Sequence, residues 1–233
     1  MSGLLQVCVV IPTALKRPDL LDRLVKNLNA QRVSKIIILD TSEGHRADVT
    51  ISSPCSIIKD HGAFNWGRVN NYGATFCFFD RYLAFLNDDL DVPDTEWVGK
   101  MLEVFSDPAV GVASPVVHLP DGSVPGPAVK IDPSVESGLT ATGQVKPGVF
   151  EVEACAGPAL FVPRELFERI GGFDARYHFT HSDGVLGLTA RANGFKNVVH
   201  GDVHITHYER STRGPDDPED TKLFRKEWLT GGM

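Results

Sequence analysis

No apolar run in the 233-residue chain is long enough to cross a bilayer. The opening run Val7 to Ile11 falls far short of the roughly 20 residues a helical span needs. Met1 to Gln6 carries no basic n-region of a secretory signal, so a cytoplasmic protein is expected. Positive charge is in the minority, 23 basic side chains against 30 acidic, and a net charge of −7 excludes a surface built for generic nucleic-acid binding. Cysteine is scarce. Cys8, Cys55, Cys77 and Cys155 form no Cys-x-x-Cys pair, which argues against a zinc site or a disulfide framework and for reduced, mostly buried thiols. No internal repeat is found.

What is present is the composition of an ordinary soluble globular protein, 42% hydrophobic and 23% charged, at a length that permits one core or two. Leu5 to Ile11 is a continuous β-branched run ending at Pro12-Thr13, as a buried parallel strand does. Pro18 then suits a first helical position, and Leu20, Leu21, Leu24, Val25 and Leu28 recur at helical spacing, with Asp22, Arg23, Lys26 and Asn27 on the other face. Lys35 to Leu39 is a second strand ended by Asp40. The unit is βαβ, with polar residues at both strand C-termini, where open α/β sheets bind ligands.

Further strands are expected near Ser56 to Lys59, Arg81 to Leu86 and from Gly111, with helices at Trp66 to Cys77 and Thr95 to Phe105, so the first half reads as α/β. From His118 to Gly148, five prolines and five glycines in 31 residues predict a long loop with room for a hairpin. Strands follow at Val149 to Ala154 and Ala159 to Val162, then a helix at Arg164 to Ile170 and the turn Gly171-Gly172. The last predicted elements are a helix at Asp183 to Asn193, two strands at Lys196 to Val199 and Val203 to Thr206, an acidic stretch Asp216 to Asp220 and an amphipathic segment Leu223 to Leu229.

Asp88, Asp89 and Asp91 follow a hydrophobic strand. Converging carboxylates there suit Mg²⁺ or Mn²⁺, while a solvated loop or helix cap is the alternative. Asp40 either accepts hydrogen bonds from a base or ribose or simply forms a turn. Asp183, just before a helical pattern, reads as an N-cap or as a general base. His204 and His207 are three residues apart on a strand and so face opposite sides, which leaves at most one of them for a shared metal.

Five pieces in order carry a resemblance: Val-Cys-Val-Val-Ile-Pro-Thr13, Ile-Ile-Ile-Leu-Asp40, Asn65-Trp-Gly-Arg-Val-Asn-Asn-Tyr-Gly73, Phe-Leu-Asn-Asp-Asp89 and Gly-Gly-Phe-Asp174. Together they resemble the inverting, nucleotide-sugar-dependent glycosyltransferases of GT-A fold and family-2 type, over about Val7 to Glu209. The resemblance implies a single α/β domain over 1–233, with a Rossmann-like, mostly parallel sheet and a smaller acceptor-side sheet. Residues 1–115 would bind the donor and 116–209 shape the acceptor side, with 210–233 a tail.

It further implies that Pro12, Thr13 and Asp40 border the nucleotide base, that Asn65, Arg68 and Asn71 line the donor pocket, and that Asn87-Asp88-Asp89 stands on the Asp-x-Asp motif. Asp88 would face the ribose. Asp89 and His207 would hold Mn²⁺ or Mg²⁺, with Arg210 or Arg213 on the leaving phosphate. Gly157, Gly172 and Phe173 fall on the acceptor side, and Asp183 in the place of the catalytic base. The family's usual acidic neighbours are missing there, since the chain reads Ser182-Asp183-Gly184-Val185. The Gln-x-x-Arg-Trp signature of processive synthases is also missing, so the implied reaction is transfer of one sugar, from a UDP-sugar by family habit, to a hydroxyl of unspecified class. The alternatives are a binding protein that has lost turnover, or a sugar nucleotidyltransferase. The latter is disfavoured because Ala14-Leu-Lys-Arg-Pro18 stands where its glycine-rich loop belongs.

Overall fold

The periods of the sequence are realised element by element in the computed structural model, which describes residues 4–42, 50–208 and 217–230. β1 (Leu5–Thr13) and β2 (Val33–Asp40) are joined by α1 (Pro18–Ala30), and β3 (Ser56–Lys59) leads into α2 (Trp66–Ala74) and β4 (Tyr82–Leu86). A short β5 (Leu90–Asp91) precedes α3 (Trp97–Glu103) and β6 (Val110–His118). Five strands and hairpin pieces follow: β7 (Ala128–Ile131), β8 (Leu139–Thr142), β9 (Val149–Val152), β10 (Ala154–Cys155) and β11 (Ala159–Pro163). Then come α4 (Arg164–Arg169), α5 (Ser182–Ala192), β12 (Lys196–His207) and α6 (Pro218–Phe224), the last continued by a π-helical turn over Arg225–Leu229.

The main sheet runs β3-β2-β1-β4-β11-β6-β12-β5, with β9 also on β12. β1, β2, β3 and β4 pair in parallel, as do β6 and β12, whereas β11 lies antiparallel between the two blocks. β10, β7 and β8 form a separate antiparallel sheet. This is the expected α/β architecture, with the hairpin of the Pro- and Gly-rich stretch supplying the small sheet.

Val7 to Thr13 is buried throughout because helices cover both faces of β1. On one face α1 lays down Leu21, Leu24, Val25 and Leu28, and α3 adds Trp97, Val98 and Met101. On the other, α2, α4 and α5 pack around Phe85, Phe167, Phe173 and Leu186. Asn27, expected on the solvent face of α1, instead donates to the Val92 and Asp94 carbonyls and accepts from the Trp97 indole at 3.0 Å. Its amide satisfies polar groups that the core would otherwise strand.

Two expectations need correction. Cys8 and Cys77 are joined in a disulfide, leaving Cys55 and Cys155 as free thiols. Spacing could not reveal the pair, because the partners are 69 residues apart and meet only where α2 packs on β1. The contact is close: a Cβ on Gly73 would stand 2.3 Å from a Val10 methyl, so only glycine lets the helix approach this far. The two strands expected over Lys196–Thr206 are one strand, β12, with an irregularity between His200 and His204. At Gly201 the amide donates to Gly148 O at 2.7 Å and a Cβ would fall 1.6 Å from Lys146 O, so the glycine marks a close backbone approach rather than a strand end. No helix among the described residues is long and apolar enough to cross a membrane.

Candidate active site

The parallel register places Thr13 beside Asp40 and Asp40 beside Lys59 at the C-terminal rim. β4 ends one strand away and releases Asn87-Asp88-Asp89 onto the same rim. Above it lies a cavity of about 860 Å³, a size suited to a small-molecule site, floored by Pro12, Thr13, Asp88 and Asp89 and walled by Gly157, Asp183 and His207.

The Thr13 hydroxyl donates to Asp88 Oδ2 at 2.5 Å. Burial pushes the Asp88 carboxyl up to about 6, with the charge of Asp89 adding to the effect and the Thr13 hydrogen bond opposing it. Asp89 is 2% and His207 8% exposed. Asp89 Oδ1 and His207 Nε2 stand 3.1 Å apart, and the Asn87 amide nitrogen is 3.1 Å from the same Nε2. The juxtaposition comes from antiparallel pairing of β12 with β5, which sets His207 opposite Leu90. His204 faces the other way and meets His118 at 2.9 Å, as the strand period requires.

One carboxylate and one imidazole, buried and converging, fit a divalent cation that takes its remaining ligands from phosphate oxygens and water. They do not form a cage by themselves: among the described residues no group of three or more His, Cys, Asp or Glu side chains could hold a metal ion.

Asp183 is the second residue of α5, not its cap. His181 holds the N-cap position, in the left-handed conformation with φ 68°. Among the described residues the half-buried Asp183 carboxylate has no hydrogen-bond partner, and it opens into the cavity. Gly157 lies against it, where a Cβ would meet Asp183 Oδ2 at 2.5 Å.

Other expected residues stand elsewhere. Asp40 Oδ1 accepts from the Ser42 amide and hydroxyl at 2.8 and 2.6 Å, and Oδ2 faces Lys59 at 3.3 Å. It supports the turn whose Thr41 and Ser42 line the cavity, without lining the cavity itself. Asn65, Arg68 and Asn71 do not line the cavity, unlike their neighbour Trp66, and their polar ends are engaged elsewhere. Asn65 caps the helix through the Arg68 amide and donates to Ala175 O. Arg68 forms a bidentate pair with Asp60, and Asn71 exchanges two hydrogen bonds with the Phe173 backbone. Phe173 is core, edge-on to Trp66 and Phe85, and Gly172 supplies a positive-φ turn beside Asn71. Arg210 and Arg213 lie outside the described residues.

The sequence reading missed the far wall. Val129, Leu139 and Ser137 come from the small sheet and its turn, and Phe179 and His181 from the segment before α5. Lys16 also reaches the cavity, from the loop after β1. Nothing in local spacing marks Phe179 or His181.

The chain is similar to known proteins in sequence and in fold. The family model described as glycosyl transferase family 2 matches residues 8–171. The O-antigen biosynthesis protein RfbC of Myxococcus xanthus is 28% identical over 233 residues, covering 92% of this chain and 18% of that protein. The N-acetylglucosaminyl-diphospho-decaprenol L-rhamnosyltransferase of Mycobacterium tuberculosis is 25% identical over 145 residues, covering 53% of this chain and 47% of its own length. The chain thus spans less than half of either curated relative.

Among solved structures, GalNAc-T7 with UDP, GalNAc and Mn²⁺ superposes with a TM-score of 0.76 at 13% identity, over 99% of this chain and 49% of that one. The mannosyltransferase PcManGT of Pyrobaculum calidifontis, with GDP-Man and Mn²⁺, gives 0.62 at 15% identity, over 97% and 70%. These likenesses show a shared GT-A fold. With the family pattern running through well over half of its sequence, the chain belongs to glycosyl transferase family 2.

Proposed function

We propose that this domain moves one sugar from a nucleotide-sugar donor, a UDP-sugar in the first instance, to an acceptor hydroxyl, with inversion at the anomeric carbon and dependence on Mn²⁺ or Mg²⁺. One domain over 1–233 does this, residues 1–115 holding the donor and 116–209 shaping the acceptor side. The observation that carries the reading is the pairing of two features across one cavity: the Asp183 carboxylate, without a hydrogen-bond partner among the described residues, and the Asp89–His207 pair. A GT-A neighbour solved with UDP and Mn²⁺ supports the donor and the cation.

Asp89 and His207 hold the cation in this scheme, and a cation bound there supplies positive charge to the departing diphosphate. Thr13 and Asp88 fix the floor on which the nucleoside rests. Asp183 takes the proton of the acceptor hydroxyl as its oxygen attacks the anomeric carbon from the face opposite the leaving group. Gly157, by having no side chain, leaves room for that carboxylate. Arg210 and Arg213 are assigned to the leaving phosphate by resemblance alone.

The test is Asp183→Asn. A general base contributes about 10²–10⁴-fold to rate. Because His181 and not Asp183 caps α5, the substitution leaves helix and melting temperature intact. Nucleoside diphosphate release from UDP-sugars with Mn²⁺ falls by at least 10²-fold while UDP affinity stays put. Release at the wild-type rate places the base elsewhere.

A further inference from the structure

The family pattern stops at residue 171, yet the part of the cavity wall formed by Phe179 to Asp183 lies beyond it, and that segment is tied to α6. Asp220, 2% exposed, is surrounded by donors from a segment some 40 residues earlier. Its Oδ1 accepts from the His178 amide at 2.7 Å, and its Oδ2 from the Phe179 and Thr180 amides at 2.8 Å each and from the Thr180 hydroxyl at 3.3 Å. A buried carboxylate that gathers three successive backbone N–H groups dictates the path of that backbone, because rotating any one of them away strands a charge and a donor together.

The next residue is His181, in a left-handed conformation that non-glycine residues rarely adopt and that persists only where the surroundings over-determine it. Here they do. Its Nδ1 lies 2.9 Å from the Thr180 hydroxyl, its Nε2 2.7 Å from Ser137 O, and its ring stacks on Phe224 of α6 at 4.9 Å. The same end of the chain reaches the other wall, where Arg225 Nη1 donates to Val135 O at 2.9 Å and Glu136 O at 3.2 Å, in the turn between β7 and β8. His181 launches α5, and Asp183 follows two residues later.

We propose that Asp220 is a positioning residue for Asp183: by fixing the 178–180 backbone it sets the left-handed entry into α5 and therefore where the Asp183 carboxylate stands in the cavity. The proposal rests on the reading of Asp183 as general base. It gives α6 a part in the reaction although no side chain of α6 lines the cavity.

The experiment is a double-mutant cycle on the full chain with Mn²⁺, using hydrolysis of UDP-glucose, UDP-galactose and UDP-N-acetylglucosamine as the probe. Asp220→Asn keeps the shape but offers one acceptor oxygen in place of two. The expected result is at least a 10-fold loss of hydrolysis, UDP affinity within twofold of wild type, and no further loss when Asp220→Asn is added to Asp183→Asn. A merely structural Asp220 gives losses that multiply in the double mutant, and that result overturns the positioning role alone. Hydrolysis unaffected by Asp183→Asn overturns both the base and the proposal built on it.

A second measurement needs no turnover. In amide hydrogen exchange of the UDP- and Mn²⁺-loaded protein, Asp220→Asn should speed exchange at 178–184 and leave β1 and β2 unchanged; unchanged exchange at 181–184 overturns the proposal. If Asp220→Asn does not fold, Phe224→Leu removes the ring beneath His181 and is expected to give the same pattern with a smaller loss.

Discussion

Gly157→Ala isolates the position of a single carboxylate. The added methyl would stand 2.5 Å from Asp183 Oδ2 and 2.9 Å from both its Cβ and Cγ, whereas ordinary contact begins near 3.4 Å. The oxygen must therefore retreat by about 0.9 Å, and because the Cβ is also too close, swinging the carboxylate does not relieve the clash. A displacement of about 1 Å at a reacting group costs on the order of 10²-fold in rate. Gly157 is not among the glycines with positive φ, so alanine meets no positive-φ penalty in its backbone there and, by restricting the unfolded chain, adds about 0.4–1 kcal/mol of stability less whatever the local shift removes. The mutant should melt at or near the wild-type temperature, bind UDP with Mn²⁺ normally, and release nucleoside diphosphate from a UDP-sugar about 100-fold more slowly. Scanning calorimetry, titration calorimetry and a coupled UDP assay read the three quantities. A folded Gly157→Ala protein that turns over at the wild-type rate refutes the placement of the base.

Asp89→Asn should abolish the Mn²⁺-dependent part of UDP binding, and His207→Ala should weaken it less; equal titrations with and without Mn²⁺ in the wild type would remove the cation from the scheme. Asn71→Ala should lower the unfolding free energy by about 1–3 kcal/mol, for two hydrogen bonds at about 0.5–1.5 each, while leaving UDP affinity unchanged. A direct donor contact would instead weaken binding. Reducing the Cys8–Cys77 bond, which closes 69 residues, should cost about 4 kcal/mol by the chain-entropy argument, seen as an earlier denaturant midpoint in dithiothreitol. Coincident curves with and without reductant would mean the bond is not formed.

The floor of the cavity was legible because continuous apolar runs announce buried parallel strands and their ends. Thr13, Asp88 and Asp89 could be placed on one rim without coordinates. Asn65, Arg68 and Asn71 stand outside the cavity lining for a physical reason. They look like a pocket lining, yet Asn65 and Asn71 meet the backbone of Ala175 and Phe173, more than 100 residues away, which no side-chain pattern advertises, and Arg68 is taken up by the Asp60 carboxylate eight residues before it. Asp220 was hidden in the same way, inside an acidic stretch that reads as solvated until the His178–Thr180 amides are found around it. Asp183 looked like an N-cap because its neighbours suit one; only the φ of His181 moves the cap back two residues.

The pairing of β12 with β5 has a consequence for the order in which the protein can be completed. Asp89 leaves the ribosome with the first half of the chain, but the imidazole set beside it belongs to residue 207, on the last strand in chain order. A nascent chain that has emerged only as far as the family pattern extends, residue 171, already contains the strands of the cavity floor and lacks one of the two ligands proposed for the cation. The metal site would then be a late event in folding, and its capture of Mn²⁺ a report that the final strand has docked. Long-range closure of this kind is slow compared with the local βαβ unit that precedes it. A chain truncated before β12 would lack, in this scheme, both the imidazole that helps grip the ion and the Asp220 anchor of the 178–180 wall.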